Sequence, residues 1–210
     1  MGRTEDFVEA RNIYETKIDE AVEKIYPYTM EKDSEFSLSE MEAINIVITE
    51  KVTSASFEDK KEACNKCVEM LDKIKLVKDG VWLSLYNEAV YDVFSKLSRA
   101  ARDDERQTAW NILKEIYYEQ TLCAKKIWKD KNHPERLAIY VSFSKLCKSY
   151  LDVADDDSMK LCETYAKEAK FGGKGTLDDD DWKDANKAID TIKKTIADAI
   201  HDKGLIDDSE

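Results

Sequence analysis

Apolar residues recur three and four positions apart along almost the whole of this chain, a spacing that draws one face of an α-helix. Only two prolines and six glycines interrupt it in 210 residues, so the helices run long. Runs of β-branched residues are rare and alternating segments rarer, so the strand signature is missing. Phe7, Ala10, Tyr14, Ile18, Ala21, Val22 and Ile25 make one stripe, which Pro27 is expected to end. Ser39 with Glu42 has the spacing of a cap for a second helix, carrying Ala43, Ile44, Val47, Ile48 and Val52. A third runs through Cys64, Cys67, Val68, Leu71 and Ile74 and stops near Asp79-Gly80, and a fourth carries Trp82, Tyr86, Ala89, Val90, Val93 and Leu97. Asp103-Asp104 open a fifth, with Ala109, Leu113, Ile116, Tyr117, Ala124 and Ile127 inward. Pro134 stands near the first position of a sixth, and Asp155 to Ser158 start a seventh. Phe171-Gly172-Gly173-Lys174-Gly175 reads as the one flexible loop, ahead of an acidic start at Asp178 and a last helix through Trp182, Ala185, Ile189, Ile192, Ile196 and Ile200. The expectation is an all-α, antiparallel bundle of eight or nine helices, one domain over residues 1–204 with an acidic tail at 205–210.

Composition narrows the function classes. Lysine and arginine number 33 against 45 acidic residues, a net charge of −12. Such a surface repels phosphate backbones and anionic lipid, so neither nucleic acid nor a membrane is the expected partner. Five cysteines, Cys64, Cys67, Cys123, Cys147 and Cys162, leave one over in any full disulfide scheme and sit on apolar helical stripes, which implies a reducing compartment. The first residues carry no apolar signal core and no lipidation pattern, and no run reaches membrane-spanning length. A cytoplasmic location is expected.

No motif points to catalysis. Cys64-x-x-Cys67 lacks the second pair or the histidines that zinc needs, and it lies inside a helical stripe rather than opening a helix beside a strand. Asp152 to Glu163 has the length of a calcium loop, but Ala154 and Asp157 stand where a ligand and the turn glycine belong. Gly173-Lys174-Gly175-Thr176 breaks the order of a phosphate loop and follows a helix. His133 falls in a turn and His201 at the end of the last helix, so structural or solvated roles are expected for both. No catalytic residue, metal ligand or cofactor is expected.

Two stretches resemble the 14-3-3 family. His133-Pro134-Glu135-Arg136-Leu137-Ala138-Ile139-Tyr140-Val141-Ser142-Phe143-Ser144 is similar to that family's His-Pro-x-Arg-Leu-x-Leu-x-x-Asn-Phe-Ser, and Glu35 to Glu40 resembles the start of its third helix. Ala63 to Val68, Trp82 to Leu97 and Trp182-Lys183-Asp184 echo its fourth, fifth and last helices in order. The resemblance implies a cup of nine antiparallel helices, usually dimeric, gripping phosphoserine or phosphothreonine peptides. A phosphate carries about −1.5 to −2 charges and wants guanidinium forks, an ammonium and a phenol hydroxyl around it. The family supplies lysine and arginine from its third helix, an Arg-Tyr pair from its fifth, and asparagines from its seventh and ninth. Counted onto this chain, those positions are Thr49 and Ser56, then Asp92 and Val93, then Ser142 and Thr195, all substituted. Groove positions that are apolar in the family become Lys145, Thr191 and Asp198.

Between Ser56 and Ala63 the chain also lacks roughly thirty residues of the family's third and fourth helices, part of the surface that receives the partner's N-terminal helix. The resemblance therefore implies a non-catalytic adaptor that binds other proteins or peptides, its phosphate pocket lost or rebuilt, and a monomer or an altered homodimer. Two alternatives stand beside it. A helical-repeat scaffold of tetratricopeptide kind would need a period near thirty-four residues. An all-α enzyme would need clustered histidines and carboxylates on facing helices.

Overall fold

The computed structural model describes residues 2–12, 17–31 and 34–207, the last three as backbone alone. Among them are nine α-helices and no strand, the all-α architecture that the periodicity implies. The contacts gather into two compact units, Met1–Arg102 and Asp103–Glu210.

The first unit holds α1 (Arg3–Arg11), α2 (Ile18–Thr29), α3 (Leu38–Ser54), α4 (Lys60–Lys73) and α5 (Gly80–Ala100). The N-terminal stripe, expected as one helix, is two. Phe7 and Ala10 of α1 are buried, as are Ile18, Ala21, Val22 and Ile25 of α2. Asp6 accepts from Tyr28 and Glu9 pairs with Lys24, so the two helices run antiparallel. Tyr14 lies outside the described residues. Pro27 does not end α2 but sits in its last turn, where a missing N–H costs a single ladder bond. The cap of α3 is Ser37 rather than Ser39. Its hydroxyl accepts from the Glu40 N–H at 3.3 Å while Glu40 accepts from the Ser37 N–H at 2.8 Å, a capping box. Phe36 and Met41, buried on either side of that box, occupy the staple positions that select Ser37.

Arg3 fastens α1 to the same point. Its guanidinium donates to Glu40 at 2.7 Å and lies 4.7 Å from the Phe36 ring centroid. Asp79 caps α5 through the Trp82 N–H, and α5 is tied down by its aromatic side chains. Trp82 Nε1 donates to the Phe36 carbonyl and Tyr86 Oη to the Leu71 carbonyl.

The second unit holds α6 (Asp103–Ile127), α7 (Pro134–Ser149), α8 (Asp156–Gly172) and α9 (Asp179–Asp207). Trp110 and Tyr117 of α6 stack on Phe143 of α7, and Tyr140 of α7 stacks on Tyr165 of α8. The expected tail begins late, since α9 continues as far as Asp207. The loop expected to be flexible is tied down. Gly173 and Gly175 take φ of 64° and 60°, and buried Asn132 donates to the Gly173 carbonyl at 2.6 Å.

Register in the first unit is regular. Asn45 meets Glu88, Thr49 meets Asp92 and Thr53 meets Lys96, each forty-three positions apart, so α3 and α5 run parallel. Tyr26 meets Glu69 and Glu23 meets Lys66 at the same separation, so α2 and α4 do too. Two helical hairpins therefore stack in one register.

Candidate binding faces

In the first unit the family-derived positions bring one pair together. Thr49, half-buried on α3, donates its hydroxyl to Asp92 Oδ2 on α5 at 3.2 Å. One turn earlier Asn45 Nδ2 donates to Glu88 Oε2 at 3.3 Å, and one turn later Lys96 approaches Thr53 Oγ1 at 3.5 Å. The face is thus a ladder of polar pairs with two carboxylates at its centre, where the resemblance sets cationic donors. Ser56 is not on α3, which stops at Ser54. It sits exposed in the turn before α4, its hydroxyl donating to Asp59 at 2.6 Å. Val93 is not on the face either. It is fully buried in the core, because the next residue of a helix turns about 100° away.

Lys51 pairs with Asp19 at 2.5 Å, on the α2 side, and Lys96 is held toward Thr53.

In the second unit α7 and α9 border a cleft of ≈ 450 Å³. Ser142, Lys145 and Thr191 line it with Ala138, Val141 and Ala188. Thr195 lies one turn beyond Thr191 and outside the lining. Lys148 closes that end, reaching Asp198 at 3.3 Å and Asp202 at 3.6 Å. Glu135 and Asp184 mark the other end. The cleft mixes both signs over a floor of small residues.

The strongest sequence motif builds fold rather than site. His133 caps α7, its Nδ1 accepting from the Glu135 N–H at 3.3 Å, and its ring stacks on Trp128. Pro134 takes the first helical position. Arg136, 5% exposed, donates to the Trp128 carbonyl at 3.0 Å and the Lys129 carbonyl at 3.3 Å, closing the C-terminal end of α6. Leu137, Ile139, Tyr140 and Phe143 fill the core. His201 is exposed on α9.

All five cysteines are free and buried. Burial pushes the Cys64 thiol up to about 11 and the Cys67 thiol up to about 12, so neither is a nucleophile near neutral pH. Among the described residues no group of His, Cys, Asp and Glu comes together that could hold a metal ion, and no helix is long and apolar enough to cross a membrane.

The residues that sequence reasoning missed are Asn45 and Glu88. A signal was present: polar residues at 45, 49 and 53 and at 88, 92 and 96 repeat every fourth position along α3 and α5. No curated protein matches the chain. Residues 30–151, more than half of the chain and covering α3 to α7, match the family model described as a domain of unknown function (DUF7758), and the chain belongs to that family.

Proposed function

We propose that this chain is a non-catalytic, protein-binding adaptor of 14-3-3-like build, working in a reducing, cytoplasmic setting, in which recognition of phosphate has been given up. One observation carries the reading. Thr49 donates to Asp92, so the two positions that meet on the α3–α5 face present a carboxylate and the hydroxyl that orients it. A phosphate brought there would meet like charge with no guanidinium to pair with. Nine helices among the described residues, a motif that caps α7 in the manner its sequence suggests, and five unbridged cysteines support the remainder.

A second reading, a helical-repeat scaffold, is favoured by the register. Two successive hairpins stack at one constant separation, as repeat units do, although that separation is forty-three residues rather than thirty-four. Both readings make the chain a binding protein. Affinity capture from its own cell extract, with and without phosphatase treatment, tests the proposal. The expected result is the same set of partners in both arms. Partners lost on phosphatase treatment would overturn the claim about phosphate, and no partner in either arm would overturn the adaptor.

A further inference from the structure

We propose that the face shared by α3 and α5 docks a basic segment of a partner protein, with arginine or lysine on Glu88 and Asp92 and an apolar side chain against Leu38 and Val81. The inference rests on the protein-binding reading above and names the chemistry of the partner.

Orientation comes first. Asn45 and Thr49 each give one neutral hydrogen bond, to Glu88 Oε2 and Asp92 Oδ2. Glu88 Oε1 and Asp92 Oδ1 are left without a donor among the described residues, and neither carboxylate has an ion pair there. The two stand one turn apart on the same helix, where like charges repel. The hydroxyl and the amide aim these groups without neutralising them. Both carboxylates are open to solvent, and a guanidinium brought by another molecule would satisfy such a pair with charge-assisted bonds.

The apolar contact lies on the same strip. Leu38 precedes Asn45 by seven residues, as Val81 precedes Glu88, so each falls on the same helical face two turns back. Leu38 is 39% and Val81 59% exposed, and nearby Ile46 is 38% exposed. Seven residues of helix rise about 10 Å, which an extended chain spans in about three residues. Glu88 and Asp92, at i and i+4, stand about 6 Å apart along the helix, the reach of an extended i to i+2 pair. The matching segment is therefore an extended peptide with leucine, then arginine three positions on and again two positions after that.

The probe is a fluorescein-labelled peptide Leu-Ala-Ala-Arg-Ala-Arg, read by anisotropy at low ionic strength against its twin with glutamate in place of arginine. The wild-type chain is expected to bind the arginine peptide and not the glutamate one. Glu88→Gln with Asp92→Asn should weaken binding about tenfold or more, while Glu115→Gln with Glu119→Gln, exposed on α6, should leave it within about twofold. Val81→Thr should weaken it severalfold. Glu88→Lys with Asp92→Lys should reverse the preference between the two peptides, which keeps the test sharp if neutral variants change little.

Equal loss from both neutral pairs would reduce the effect to the general charge of the chain and overturn the proposal. Absence of arginine-peptide binding, or equal binding of both peptides, would overturn it as well. Those failures leave phosphatase-insensitive capture untouched, so they are distinguishable from failure of the adaptor reading.

Discussion

Replacing Arg136 by methionine removes a guanidinium from inside the second unit while keeping most of its aliphatic length. Arg136 is 5% exposed, its Nη1 donates to the Trp128 and Lys129 carbonyls, and its Cζ lies 5.0 Å from the Tyr165 ring centroid. Hydrogen bonds to a charged group contribute about 1.5–3 kcal/mol each. A desolvated cation over a ring adds about 1–2 kcal/mol. Against these stands the cost of holding a charge away from water, several kcal/mol after relaxation. The difference leaves the methionine variant destabilised by about 2–3 kcal/mol, a Tm drop of about 4–12 °C for a chain of this size. Arg136→Lys keeps the charge but not the fork and should fall between. Urea unfolding followed by far-UV circular dichroism measures the change. A methionine variant as stable as the wild type, or more so, would show that the buried charge is a net liability and that the motif does not hold α6 to α7.

Asp79→Ala removes the cap that accepts from the Trp82 N–H at 2.8 Å and should cost about 1 kcal/mol in the same urea assay. Burial raises the Glu40 carboxyl, but the Ser37 N–H, the Arg3 guanidinium and the Ser37 hydroxyl outweigh it and hold the group below its usual range. Its contribution is therefore complete above the unfolded value of about 4.3 and is lost as pH falls through the lower folded value. Glu40→Gln should accordingly lower stability at neutral pH and flatten the loss on acidification, read from urea midpoints between pH 7 and 3. The five thiols, all buried, should resist a thiol reagent in the native protein and react together only in denaturant; fast labelling of any one would show an opening that the packing does not contain. With Phe7 and Ala10 buried on their own chain, sedimentation equilibrium should return 24.2 kDa, and twice that mass would place α1 or another face in a dimer.

Most of the fold was legible because helix period depends on local spacing alone. The stripes on α3 to α9 sit where the apolar residues put them except at their last positions, where Ile127 is half-buried and Ile200 54% exposed, and Asp79, Asp155 and Asp178 cap helices at the N-termini that their acidic chemistry marks. The first hundred residues were harder at their start. One unbroken stripe from Phe7 to Ile25 fits a single helix or two antiparallel ones equally well, since both bury the same face. The cap of α3 was misplaced by two residues because Ser37 and Ser39 each have a glutamate three positions on, and only the burial of Phe36 and Met41 decides between them. The division into two units leaves no mark in composition, for no linker separates Arg102 from Asp103.

The candidate site was half legible. Thr49 and Asp92 were reached by counting along a resemblance and do meet, whereas Ser56 and Val93 do not join them. Ser56 misses because α3 ends two residues earlier, and Val93 because one step round a helix exchanges surface for core. Glu88 and Asn45 gave no sign as single residues. They become visible as members of a polar repeat at every fourth position, and their pairing only through the register of α3 with α5, which is a property of two helices.

Isothermal titration calorimetry of the whole chain with a phosphoserine peptide carrying an arginine-rich 14-3-3 motif, beside the same peptide without phosphate, tests the central claim most directly. An α3–α5 face built around Glu88 and Asp92 predicts no gain from the phosphate, the phosphorylated peptide binding no more tightly than its unphosphorylated twin. Micromolar or tighter affinity that depends on the phosphate would contradict it.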